Sequence, residues 1–236
     1  MDVRRALRRL ADPAKARVLQ GFFKTGPGEY GEGDRFLGIA VPQVRALCAD
    51  YPSLTFVDLL SLLRSPVHEE RFFALAWLVL RFKKAGQPER KRLYDFYLAH
   101  TSRINNWDLV DLSAGYIVGP YLRLYCTRSQ SLKVLLALAR SPDIWERRIA
   151  IISTFDFIRA NDFSLTLKIA SVLLGDRHDL MHKAVGWMLR EVGKRDQTVA
   201  EGFLRPVYRR MPRTMLRYAI ERFPQKRRKA YLEGRV

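Results

Sequence analysis

Four stretches of this chain repeat one helical pattern, and that repetition limits the architectures open to it. In HEERFFALAWLVLRFKK, which begins at His68, Phe72, Phe73, Leu75, Ala76, Leu78, Val79 and Leu80 form a broad apolar face, and Arg81, Lys83 and Lys84 close the last turn. SQSLKVLLALARS, IWERRIAIISTFDFIRA and LMHKAVGWMLREVGKR follow the same rule, with Ser129 or Ser131 as the candidate cap of the first of these. Alternation of the kind that marks strands is nearly absent. The fold class read from the sequence is therefore all-α.

Ala74, Asp111, Ala150 and Ala184 fall at matching points of these helices, at steps of 37, 39 and 34 residues. Such an interval holds two helices and their turns, and it predicts stacked helix pairs of the HEAT or armadillo kind. Stacking amphipathic pairs makes a curved slab with a concave face, and a basic concave face suits a nucleic-acid duplex. One domain over residues 1–236 is expected. Within it, N-terminal helices carry a glycine-rich loop at about 25–35, repeats run over about 41–223, and a basic cap covers about 205–236.

Charge points to the partner. The chain has 42 Lys and Arg against 24 Asp and Glu, a net +18, and 48% of its residues are hydrophobic, which excludes a disordered polycation. Spread-out Arg and Lys are rewarded by phosphates, whose neutralisation releases counterions, so nucleic acid is the expected partner. Cys48 and Cys126 lack CxxC partners and suggest neither a disulfide framework nor a zinc site. The N-terminal stretch, with Arg4, Arg5, Arg8 and Arg9, lacks the apolar core of a secretory signal, and no apolar run reaches membrane-span length. A cytoplasmic protein is expected.

Two motifs do not survive their context. GPGEYG at 26–31 spells G-x-G-x-x-G, but a helix precedes it, no βαβ unit follows, and Glu29, Glu32 and Asp34 oppose a phosphate. It reads as a flexible connector. HDLMH places His178 and His182 four apart, as zinc helices do, yet Asp179 stands where a glutamate belongs and no third ligand is evident. These histidines read as solvated residues at a helix start. No G-x-S-x-G occurs, so acyl transfer is unsupported, and neither a metal nor a cofactor is expected.

RINNWDLVDLSAGYIVGPYL at 103–122 carries more. Asn105 or Asn106 can cap a helix on which Trp107 and Asp111, four apart, share a face. An aromatic plate beside a carboxylate suits a cationic, sugar-bearing substrate, although packing plus solvation produces the same pair. WERRIAI adds Trp145, Arg147 and Arg148, and AVGWMLREVGKRD adds Trp187, Arg190 and Lys194. If these helices line a concave face, Trp107, Asp111, Arg148 and Trp187 converge; the alternative is core tryptophans and rim arginines. From Arg205 onward, eleven Arg and Lys residues, Arg209, Arg210 and Arg213 among them, face only Glu221 and Glu233, with Tyr208, Tyr218 and Tyr231 interspersed. That composition fits phosphate binding.

Taken together, FFKTGPGEYGEGDRFLGI, NNWDLVDLSA, the Trp-x-x-Arg of WERR and AVGWMLREVGKRD make the chain resemble the AlkD-like DNA alkylation repair glycosylases from about Phe22 to Phe223. The resemblance implies a right-handed superhelical solenoid of HEAT-like repeats that holds alkylated double-stranded DNA in a concave basic groove. It also implies hydrolysis of the N-glycosidic bond of cationic bases such as N3-methyladenine or N7-methylguanine, without a base-flipping pocket, by a monomer acting on nucleoid DNA. On that pattern Asp111 matches the catalytic carboxylate, Trp107 and Trp187 the aromatic walls, and Arg148 the groove arginine. Phe22 stands where members can carry a tyrosine. Lys24, Arg147, Arg190, Lys194, Arg209, Arg210 and Arg213 are the further expected DNA contacts. Within the wider family some solenoids bind DNA without excising bases, and a non-catalytic reader of unusual DNA structure is the alternative.

Overall fold

A computed structural model describes residues 2–236. Among them are fifteen α-helices and two single-turn 3-10 helices; the extended backbone forms only an isolated parallel bridge between Arg35 and Val67. None of these helices is long and apolar enough to cross a membrane. The chain divides into two compact units, residues 1–113 and 114–236.

The first unit holds α1 (Val3–Arg9), α2 (Pro13–Phe22), α3 (Val41–Leu47), α4 (Phe56–Leu63), α5 (His68–Lys84), α6 (Gln87–Ala99) and the opening turns of α7 (Trp107–Tyr125). Helix α5 is its axis, in contact with α1, α3, α4 and α6. Phe73, Leu75 and Leu78 on α5 are fully buried with Leu59 and Leu63 of α4 and Leu93 and Tyr97 of α6, so most of the apolar face predicted for this helix is core, while Val79 and Leu80 are only partly buried. Helix α2 begins on Asp12, whose carboxylate accepts from Ala14 and Lys15 N–H, with Pro13 in the first helical position. It buries none of its residues and leaves Val18 and Phe22 exposed.

The second unit continues with the rest of α7 and with α8 (Arg128–Ala139), α9 (Ile144–Ser153), α10 (Phe155–Arg159), α11 (Ser164–Val172), α12 (Asp179–Arg195), α13 (Gln197–Leu204), α14 (Arg213–Ala219) and α15 (Gln225–Leu232). Helix α12 is the axis here and touches α9, α10, α11, α13 and α14. Two local expectations are corrected. Thr127, in a capping box with Gln130, starts α8, while Ser131 is buried and donates to the Leu122 carbonyl instead. The continuous helix read over IWERRIAIISTFDFIRA breaks at Ser153 and Thr154, whose hydroxyls donate to the Ile149 and Ile151 carbonyls and offer the backbone an alternative to the helical ladder.

Close approach of α12 to α14 depends on Gly186. A Cβ there would lie 2.5 Å from Tyr218 Cβ and 2.6 Å from the Met215 carbonyl oxygen. Both helices would have to separate. Gly186→Val is expected to cost at least about 2 kcal/mol of unfolding free energy, read from urea denaturation of the purified variant; an unchanged midpoint would refute this account of the contact.

Candidate functional site

Helix α7 starts where the sequence places it. Asn106, fully buried, accepts the Trp107 N–H on its side-chain oxygen at 2.8 Å, and its carbonyl accepts from Val110. From that start, Trp107, Asp108 and Asp111 remain half-buried while Leu109 and Val110 are sealed in the core. Trp107 and Asp111 therefore share one accessible face, as their spacing predicts. The charge of Asp111 reaches Tyr97, whose hydroxyl meets Ser113 at 3.0 Å. Burial, with Asp111 adding to it against the Ser113 hydrogen bond, pushes the Tyr97 phenol upward.

Aromatic rings from the end of α2 hold Trp107 in place. Phe23 lies nearly parallel to the indole at 5.3 Å between centroids, and Phe22, 61% exposed, meets it edge-on at 6.2 Å. Phe23 in turn stacks on Phe36 at 4.9 Å, and both rings lie against His68, at 5.1 and 4.6 Å. Lys24 is exposed beside this stack, with a backbone φ of +50° that closes α2.

Beneath the rings lies a buried ionic cluster that sequence reasoning missed. His68 Nδ1 is 3.2 Å from Asp34 and its Nε2 is 2.7 Å from Asp108. Asp34 also accepts from Arg71 Nη2 at 2.5 Å and from Asn106 Nδ2 at 3.2 Å. Burial opposes the charge on His68, but Asp108 and Asp34 overcome it and push the imidazole up to about 9. Burial likewise works against Asp34, and the His68 hydrogen bond with the Arg71 charge brings its carboxyl below the ordinary 3.8. The neighbouring glutamates are also used. Glu69 accepts the N–H groups of Leu37, Gly38 and Ile39, and Glu70 pairs with Arg4 at 2.9 Å. Gly38 has φ +82° and lies so close to Asp12 that a Cβ would overlap its carbonyl oxygen, so this turn admits no side chain. The signal in the sequence was four successive ionisable residues, HEER, opening a helix whose next nine residues are all apolar.

The glycine-rich segment, expected as a flexible connector, carries hydrogen bonds of its own. Glu29 accepts the Gly26 N–H and Glu32 the Gly28 N–H, each at 2.9 Å, so the donors that a phosphate would need are taken by the loop's own carboxylates. Asp34 and the bond from Gln20 to its carbonyl anchor the far end.

In the second unit, Trp187 is half-buried on α12 with Phe155 at 6.3 Å, and Trp145 belongs to the core. Arg148 is not an exposed side chain: it is 4% exposed and donates to the Leu180 carbonyl at 2.6 Å. Arg147 pairs with Asp176 at 2.7 Å and donates to the Ser141 and Pro142 carbonyls. Arg190 bonds Glu221, and Lys194 reaches Glu191 at 2.7 Å while half exposed. Arg209 and Arg213 donate to the Gly234 and Leu232 carbonyls and fasten the end of α15, whereas Arg210 is exposed. The two histidines of HDLMH are structural rather than merely solvated: His178 Nδ1 accepts the Leu180 N–H as the cap of α12, and His182 Nε2 lies 2.6 Å from the Asp176 carbonyl oxygen.

Residues 3–223 match the family model described as DNA alkylation repair enzyme. The chain belongs to that family. A structure described as a predicted DNA alkylation repair enzyme from Enterococcus faecalis superimposes with a TM-score of 0.70 at 15% identity, covering 91% of this chain and 97% of that one. AlkD2 from Streptococcus mutans gives 0.58 at 16% identity, covering 79% and 91%. At these identities the likeness is one of fold, and it agrees with the helical repeats read from the sequence. The curated proteins give no match.

The ionic cluster has a pH signature. A histidine raised from 6.5 toward about 9 on folding contributes stability that is complete below about 6.5 and is lost as pH climbs through about 9. Over that window the unfolding free energy is expected to fall by up to about 3 kcal/mol, measured as urea midpoints across pH. The slope should vanish in His68→Gln.

Proposed function

We propose that this protein is a DNA glycosylase that hydrolyses the N-glycosidic bond of cationic alkylated bases, N3-methyladenine and N7-methylguanine, in duplex DNA. The observation that carries the reading is the pair Trp107 and Asp111, one helical turn apart on an accessible face, in a member of the DNA alkylation repair family. In the reaction, water adds to C1′ of the deoxyribose while the C1′–N bond breaks and its electron pair leaves with the base. A base that is already cationic departs neutral, so no general acid has to protonate it and one carboxylate serves where glycosidases use two. Asp111 stabilises positive charge growing on the sugar and accepts the proton of the attacking water. The faces of Trp107 and Phe22 attract the same charge. Sugar and backbone are read in place, with no extruded base in a pocket.

DNA is held by charge. The second unit has 24 Lys and Arg against 11 Asp and Glu, compared with 18 against 13 in the first. Arg210, Arg217, Lys226 and Arg228 are exposed there and fit backbone contacts, and Trp187 adds an aromatic surface. Arg148 contributes positive potential from beneath the surface, because its side chain is already engaged. Lys24 does the same work openly beside Trp107.

Base release from methylated duplex, followed by chromatography, tests the reading. Asp111→Asn is expected to lower release at least about 100-fold while its affinity for the duplex stays within about threefold of wild type. Equal loss of binding and release would remove Asp111 from its role. No release by wild type, with steeply salt-dependent binding intact, would leave a DNA reader without chemistry.

A further inference from the structure

We propose that His68 is a positioning residue for Trp107: wedged against Phe23 and Phe36 and bridging Asp34 to Asp108, it locks the first turn of α7 against the end of α2. This rests on the reading of Trp107 and Asp111 as the reaction site. Two routes connect the imidazole to the indole. One is covalent and local, since Asp108, held at 2.7 Å, is the next residue after Trp107 on the same turn. The other runs through rings, from His68 to Phe23 and from Phe23 to Trp107 at 5.3 Å.

Packing alone does not fix this arrangement. A cavity of about 290 Å³, lined by Leu19, Phe23, Phe36, Val44, His68 and Asp108 among others, opens beside the stack, so the rings have space on one side. Directional bonds to Asp34 and Asp108 supply the restraint that close packing supplies elsewhere. The imidazolium also sits in the first helical position of α5, where the helix dipole disfavours a cation. Two carboxylates hold it there against that dipole and against Arg71, whose guanidinium is 3.5 Å from Nδ1. Among the other charged groups nearby, Glu69 is committed to three N–H groups and Lys15, at the cavity, pairs with Asp12 at 3.0 Å. Loss of the His68 proton removes the donor to one of the two carboxylates, and the turn that bears Trp107 is then tied to the loop that bears Asp34 through the Asn106 side chain, a looser hold on the indole.

The test uses the full chain labelled with 5-fluorotryptophan, its Trp107 fluorine resonance assigned by Trp107→Phe. That resonance is expected to shift as pH rises through about 9 and to lose the transition in His68→Gln. Asp108→Asn should move the midpoint down by about one pH unit. In base release, His68→Gln should lower kcat on the order of tenfold with KM for DNA within about twofold, the pattern of a misplaced but still binding site. A Trp107 resonance that ignores pH in the wild type, or a His68→Gln protein with wild-type resonance and kcat, overturns the proposal. Should His68→Gln fail to fold by circular dichroism, Asp108→Asn decides, and an unmoved midpoint refutes the bridge. If wild type releases no base yet Trp107 follows His68, the positioning stands and the glycosylase reading falls.

Discussion

Much of the first unit is organised around one buried carboxylate. Asp34 ends the glycine-rich loop and takes hydrogen bonds from Arg71 and His68 on α5 and from Asn106 at the start of α7. Three segments distant in sequence are thereby fixed to one another at a point where apolar packing is incomplete. Burying such a charge is costly, and the partners offset that cost together: Arg71 and His68 supply opposite charge and Asn106 a hydrogen bond. The loop needs glycine at Gly28, whose φ of +77° turns its N–H onto Glu32, and at Gly38, whose N–H goes to Glu69 where a Cβ would overlap the Asp12 carbonyl oxygen.

The second unit reaches order by a different route. Its axis helix α12 is held by apolar burial, with Met181, Ala184, Val185, Met188, Leu189 and Val192 all sealed, and by backbone approach at Gly186. Ser153 and Thr154 satisfy their hydroxyls on nearby carbonyls, so no ionic hub is required. Its excess of cations is placed outside. Under the proposed function that separation leaves exposed cations such as Arg210, Lys226 and Arg228 to meet a phosphate backbone, while Arg205 and Arg227 are engaged by Glu201 and Arg209 by the Gly234 carbonyl.

What could be read from the sequence follows from the range of the interactions involved. Helix α5 was read at its observed bounds, His68–Lys84, because its periodicity is local and its last turn is basic. The shared face of Trp107 and Asp111 was legible for the same reason. Their support was not. Phe23, Phe36 and His68 come to Trp107 from loops and helices tens of residues away, and no spacing rule connects them. HEER was given no role of its own, although the uninterrupted apolar run after it left those charges no watery side to occupy. Arg148 was read as a groove residue from the family resemblance, and only the carbonyl of Leu180 reveals where its guanidinium is directed. Caps were the least secure, since Thr127, Ser129 and Ser131 all have cap chemistry and tertiary contacts choose among them.

The local charge around Trp107 differs in sign from that of the whole chain. Asp34 and Asp108 meet Arg71 and a protonated His68, and Asp111, one turn beyond Trp107 on α7, adds one more carboxylate, a net of one negative charge inside a protein of +18. The two signs act over different ranges. At distances beyond the screening length a polyanion meets the summed positive field, whereas within a few ångströms of the indole the carboxylates dominate. Under the proposed reaction this suits a substrate that is anionic as a polymer and cationic at the lesion. The cluster also keeps the negative charge moderate. With His68 neutral the same patch would carry a net of two negative charges, which under the proposed reaction would repel the phosphates flanking the lesion. A buried imidazolium under the aromatic stack thus serves geometry and electrostatics together: it holds the ring in place and limits the field that the ring's neighbour presents to DNA.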